Sequence, residues 1–197
     1  MTNFIDNIVS TFDKIYDTVG DNLFLLLIIF AILWGVQLLN AFSGYRLNVL
    51  GIYPRRAEGL LGIFTSPFLH GSYQHLFLNS IPLFILAALV VVGGKQQFFQ
   101  ITLFIMIVSG LTVWIFARSA YHVGASSLIL GYWGFLLMNA YYEHSVMTWF
   151  VAFLCLYYLG GLVFSLFPQE ERTSWEGHIA GFLSGVLASY VLAKGYI

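Results

Sequence analysis

Charge is what this chain has least of. Only 9% of its 197 residues are charged, and 59% are hydrophobic. A soluble domain carries about a quarter charged residues, so a water-soluble globular fold is excluded and the sequence reads as a membrane protein. Its length fits one domain. The formal net charge of -1 leaves no basic face for nucleic acid. Cysteine is nearly absent too. Cys155 stands alone in an apolar run, so no internal disulfide can form and cysteine usage does not report the redox compartment. There is no internal repeat and no low-complexity segment. The first twenty residues are acidic and lack a basic flank with a short apolar core, so no cleavable signal peptide is expected.

Carboxylates are missing from the apolar runs. All four Asp precede the first long run, and no Glu lies in the core of any run. Paired-carboxylate chemistry inside a membrane is thereby excluded, and a proton or ion pathway lacks its usual groups. No His-Glu-x-x-His helix offers a zinc site, and Cys155 has no histidine near it in sequence. No metal or organic cofactor is implied. What remains is serine chemistry with a histidine base and no aspartate.

A helix needs about 20 apolar residues to cross ~30 Å of hydrocarbon. Six stretches are predicted as spans: Leu23–Phe42, His75–Val92, Phe98–Ala117, Ser126–Tyr142, Val146–Phe167 and His178–Ala193. The expected fold is all-α and polytopic, with six transmembrane helices over 23–197. Ahead of it, in 1–22, Phe4, Ile5, Ile8, Val9, Phe12, Ile15, Tyr16 and Val19 recur at helical spacing. This predicts an amphipathic helix lying on the membrane surface or on the protein. The connection Ser43–Gln74 mixes apolar residues with Arg46, Arg55, Arg56 and Glu58. So long a loop is unusual and often functional, and its apolar content places it partly in the bilayer boundary.

The fourth span is short. Its seventeen residues give about 25 Å of helix, so either Ser126 starts below the membrane surface or the bilayer is thin there. A start at depth requires Tyr121–Ala125 to dip inward, and irregular backbone at depth needs protein or a watery cavity around it. Spans alternate direction, so the second, fourth and sixth begin on one side. His75 and Asn79, Ser126, and His178 therefore converge on one face. Gly177, Gly181 and Gly185 repeat on one side of the sixth span, as Ser127 and Gly131 do on the fourth. Such small-residue faces permit close helix contact, which brings Ser126 toward His178.

Each residue also has a plain structural reading. A serine at a helix start is most often an N-cap. A histidine in a span can bridge helices, though ionisable groups there are functional by default. His75 and Asn79, spaced i, i+4, could be a polar clamp. Gln37 and Asn40 read as structural. His122 and His144 carry no assigned role.

Taken together these residues resemble the rhomboid family of intramembrane serine proteases, over roughly Leu50 to Ile197. His70 followed by His75-Leu76-Phe77-Leu78-Asn79 is similar to the family's His and His-x-x-x-Asn elements. Gly124-Ala125-Ser126-Ser127 resembles its Gly-x-Ser-x motif, and His178 with Gly181 and Gly185 its His-x-x-Gly-x-x-x-Gly motif. Each is loose alone; three in order on spans two, four and six are specific. Three departures stand out. Ser127 replaces the usual Gly, Leu130 stands where many members carry an aromatic that stacks on the histidine, and the first loop lacks the Trp-Arg pair of many members.

The resemblance implies Ser126 as nucleophile and His178 as general base. It also implies an oxyanion site from the His75 and Asn79 side chains with the Ser126 N–H, and support from His70 and Gly124. Substrates would be transmembrane proteins in the lipid bilayer, reaching the site past spans two and five beside the loop Pro168–Trp175. A multi-pass protein of a bacterial inner membrane is expected, with the N-terminus in the cytoplasm. On that orientation Lys14, Lys95 and Lys194 lie inside and Arg46, Arg55, Arg56, Arg118 and Arg172 outside, the reverse of the positive-inside rule. Two other functions stay open: a catalytically inactive relative that binds transmembrane clients, and a small transporter.

Overall fold

The computed structural model describes the backbone of residues 2–167 and 174–197. Six long helices carry the fold: α1 Thr2–Phe42, α2 Tyr73–Val91, α3 Lys95–Phe116, α4 Ser126–Glu143, α5 Val146–Leu159 and α6 Trp175–Ala193. They correspond one to one with the predicted spans. Five segments, Ile8–Phe42, Tyr73–Val91, Lys95–Phe116, Val146–Leu166 and Trp175–Ala193, are long and apolar enough to cross a membrane. Their outer faces expose large apolar side chains such as Phe24, Leu39, Leu78, Phe153 and Phe164. A bundle with an apolar exterior is an integral membrane protein.

The exception is α4. Ten of its 18 residues are buried, because it is enclosed by α2, α3, α5 and α6. Its closest partner is α6, and glycine is the reason. A Cβ on Gly181 would collide with the Ser127 backbone, and one on Gly185 with the Gly131 carbonyl. A Cβ on Gly131 would meet the Gly181 carbonyl at 3.2 Å. The two small-residue faces therefore meet as predicted, backbone against backbone.

The N-terminal amphipathic segment and the first span form one helix of 41 residues with no break at residue 22. The side chains of Phe4 and Ile5 lie outside the described residues. Further along, Phe12 packs edge-on against Phe150 of α5 at 4.9 Å, and Ile15 and Val19 rest on the core. This part of α1 thus lies on the protein.

α5 differs from the predicted continuous span. After Leu159 the chain tightens into a 3₁₀ segment, Gly160–Leu166. The Gly160-Gly161 pair accounts for the change, since glycine destabilises a regular helix interior.

The connection between α1 and α2 is built from short turns: 3₁₀ segments Arg46–Leu50, Ala57–Leu60 and Ser66–Phe68, and one α turn, Gly62–Thr65. Side chains brace it. Arg55 donates to the carbonyls of Ala117 and Ile115 at 2.8 and 3.2 Å and to Ser119 Oγ at 3.0 Å. The Trp114 indole donates to the Arg56 carbonyl at 2.8 Å. A tryptophan of α3 and an arginine of the loop thus hold a segment whose bracing the sequence left unidentified. Asn40, at the end of α1, donates to Asn48 Oδ1 at 2.8 Å and to the His70 carbonyl at 3.2 Å. It is structural, as expected.

Candidate active site

Ser126 is the first residue of α4, and its N-cap is Ala125, with no side-chain cap bond. The plain reading of Ser126 as a capping serine therefore does not describe it. The preceding backbone is irregular and tightly held. Gly124 has φ +120°, a left-handed conformation that side chains rarely adopt. Its N–H donates to the Ser66 carbonyl at 2.9 Å. The next N–H, of Ala125, points at His70 Nε2 at 3.4 Å.

His70 is wholly buried. Burial foremost, then the neighbouring His75, pushes its pKa down to about 3, with only partial offset from the Phe68 backbone. The ring is therefore neutral, and Nε2 accepts while Nδ1 carries the proton. His70 supports the Gly124-Ala125 backbone, and its ring meets His75 edge-on at 5.0 Å.

His75 is set by the start of α2. Ser72 is the N-cap, and its hydroxyl accepts the His75 N–H at 3.0 Å. Asn79 follows one turn later on the same face. Both side chains crowd Gly124: a Cβ there would stand 2.8 Å from His75 Cε1 and 3.6 Å from Asn79 Nδ2. The Asn79 Nδ2 is buried, with no partner among the described residues. A buried amide donor left unpaired costs about 1–3 kcal/mol, and this one stands beside Gly124, at the edge of the cavity described below.

His178 lies in the first turn of α6 and is buried. Its Nδ1 is 2.8 Å from the Ser165 carbonyl in the 3₁₀ segment after α5. A carbonyl can only accept, so Nδ1 holds the proton and Nε2 keeps its lone pair. His178 thus bridges helical segments through Nδ1 alone among the described contacts.

One cavity of about 680 Å³ joins these groups. Ser126, His178, His75 and Asn79 line it, with Leu130, Pro82, Ser165 and Ser174. All four residues that the span-direction argument placed on one face thus share one space. His70 and Gly124 stand behind it. Gly131, Gly181 and Gly185 lie at the α4–α6 contact. Most of the loop Pro168–Trp175, Arg172 included, lies outside the described residues.

Two residues without an assigned role are also here. His122 and Arg118 line the cavity. His122 pairs by backbone with Ile52, and Arg118 reaches Glu176 at 3.6 Å. The available signal was the place of His122, two residues before Gly124.

Similarity to known proteins identifies the family. Residues 57–195 match the Rhomboid domain. The uncharacterized protein Rv1337 of Mycobacterium tuberculosis is 34% identical over 172 residues, covering 83% of this chain and 72% of its own. The uncharacterized protein ML1171 of Mycobacterium leprae is 32% identical, covering 83% and 68%. The protein L523 of Acanthamoeba polyphaga mimivirus, provisionally named a rhomboid, is 30% identical over 139 residues, covering 66% and 75%. With the domain match spanning α2 to α6, this chain belongs to the rhomboid family.

Proposed function

We propose that this rhomboid protein is an intramembrane serine endopeptidase, with Ser126 as nucleophile and His178 as general base. The observation that carries the reading is the contact of His178 Nδ1 with the Ser165 carbonyl at 2.8 Å. The His178 Nδ1–H is committed to Ser165, and the Nε2 lone pair is left for the cavity that Ser126 lines.

The chemistry follows from the groups present. His178 Nε2 takes the Ser126 hydroxyl proton as Oγ attacks a peptide carbonyl carbon. Charge develops on the carbonyl oxygen, where the Ser126 N–H, unpaired at the helix start, and the His75 and Asn79 side chains serve as donors. The histidine then gives its proton to the leaving amine as the C–N bond breaks. Water entering the cavity attacks the acyl-enzyme, His178 takes a proton from it, and Ser126 is regenerated. His70 and Gly124 hold the loop that sets Ser126 in place.

The substrates are transmembrane proteins, cut where the helix unwinds near one surface, since helical carbonyls are shielded by their own hydrogen bonds. The compact bundle fits a bacterial inner membrane, with the cavity opening on the outer side.

A fluorophosphonate probe tests the reading in detergent without a known substrate. The wild type is expected to label, while Ser126→Ala and His178→Ala stay unlabelled. A folded wild type that does not label favours the client-binding alternative; labelling of Ser126→Ala would show that another residue is the nucleophile.

A further inference from the structure

Ser174 occupies the N-cap position of α6, yet its side chain makes no cap bond. A serine there ordinarily accepts a helix N–H. Instead its hydroxyl lies 2.6 Å from His122 Nδ1, 52 residues upstream. The other ring nitrogen, Nε2, lies 3.0 Å from the Arg118 carbonyl. A carbonyl only accepts, so Nε2 carries the ring proton and Nδ1 accepts from the Ser174 hydroxyl. The His122 backbone is fixed as well, its N–H and C=O paired with Ile52 at 2.9 and 3.0 Å. The ring is buried, and that burial is the main influence holding its pKa below the usual imidazole range.

The other end of this link leads to the base. The Ser174 carbonyl accepts the His178 N–H at 3.2 Å, closing the first turn of α6. Ser174 Oγ and Ser127 Oγ also press on the same spot beside Gly177, at 3.0 and 2.9 Å from where a Cβ would stand. The start of α6 is thus wedged against the residue that follows Ser126. The Arg118–Glu176 pair ties the same two segments a second time.

We propose that His122 is a positioning residue for the base: through Ser174 it fixes the first turn of α6, and with it the place of His178 in the cavity that Ser126 also lines. This rests on the serine-protease reading. His122 itself touches no reacting atom in that scheme.

The test uses the full chain in detergent and separates the maximal inactivation rate by fluorophosphonate from its half-saturating concentration. Ser174→Ala and His122→Leu are each expected to lower the maximal rate roughly tenfold, as a small misplacement of a reacting group does. The half-saturating concentration and the melting midpoint should stay put. Ser174→Thr, which keeps the hydroxyl, restores the rate, and the double variant is no worse than either single one. An unchanged rate in Ser174→Ala, no recovery in Ser174→Thr, or additive losses would overturn the proposal. Amide hydrogen exchange over 175–178 is measured alongside and is expected to rise in Ser174→Ala. If the wild type does not label at all, the protease reading fails on its own. Exchange then decides the link: a rise in Ser174→Ala supports it, and no rise overturns it.

Discussion

His178 gives its Nδ1–H to the backbone carbonyl of Ser165, 2.8 Å away. In the proposed dyad no third side chain orients the histidine, and a main-chain oxygen does that work. An acceptor from the backbone fixes both the ring plane and the tautomer without adding a charge to a membrane interior, where an unpaired carboxylate is costly.

The tautomer is open to measurement. Nitrogen-15 shifts of the His178 ring at neutral pH are expected to show a protonated Nδ1 and an unprotonated Nε2, in wild type and in Ser126→Ala alike. Because the acceptor is main chain, Ser165→Ala should keep labelling within about threefold. A protonated Nε2 would remove the base from the scheme.

Asn79 separates function from stability. Its buried Nδ2 has no partner among the described residues, so truncation removes an unsatisfied donor rather than a bond. Asn79→Ala is expected to lower turnover about 10²–10³-fold, as loss of an oxyanion donor does. Its melting midpoint should hold or rise. A large drop in melting with turnover intact would make Asn79 a structural clamp.

Gly185 and Gly35 form a matched pair for packing. A methyl at Gly185 strikes the Gly131 carbonyl, whereas nothing lies within 4 Å of one at Gly35. Gly185→Ala is expected to destabilise by about 1–3 kcal/mol, as overpacking does. Gly35→Ala should be neutral or stabilise by up to about 1 kcal/mol through helix propensity. Thermal melts in one detergent compare them; equal midpoints would refute the close α4–α6 contact.

His70 carries a pH dependence with a definite sign. Its folded pKa, about 3, lies below the ordinary 6.5. The unfolded chain therefore binds the proton more readily, and His70's contribution to stability is full above about pH 6.5 and lost as pH falls toward 3. His70→Gln, whose amide oxygen can still accept the Ala125 N–H, should flatten the fall in melting midpoint between pH 7 and 4.5. An identical fall in both proteins would exclude His70 as its source.

The parts legible in the sequence were those set by local period. Helix positions follow from apolar run length, and the α4–α6 contact from glycines four apart. The convergence of His75, Asn79, Ser126 and His178 follows from counting spans. The turns of 43–74 were not legible, because short 3₁₀ pieces leave no period to read. Nor was the pairing of His122 with Ser174, which depends on which loop lands beside which helix. The change to 3₁₀ geometry after Leu159 had a visible cause in Gly160-Gly161, but its extent is decided by packing on α6.

The enclosure of α4 reaches back to how the protein is made. A helix surrounded by protein is not required to be lipid-like, and α4 carries Ser126, Ser127, Asn139 and Glu143 in 18 residues. It is absent from the segments apolar enough to cross a membrane by composition. On an insertion scale such a segment enters the bilayer poorly alone. Its integration during synthesis must then be cooperative, with α2 and α3 already in place and α6, which closes over its glycine face, arriving after it. Ser126 and His178 would share their cavity only once α6 docks, so a chain stalled before α6 would hold Ser126 without His178.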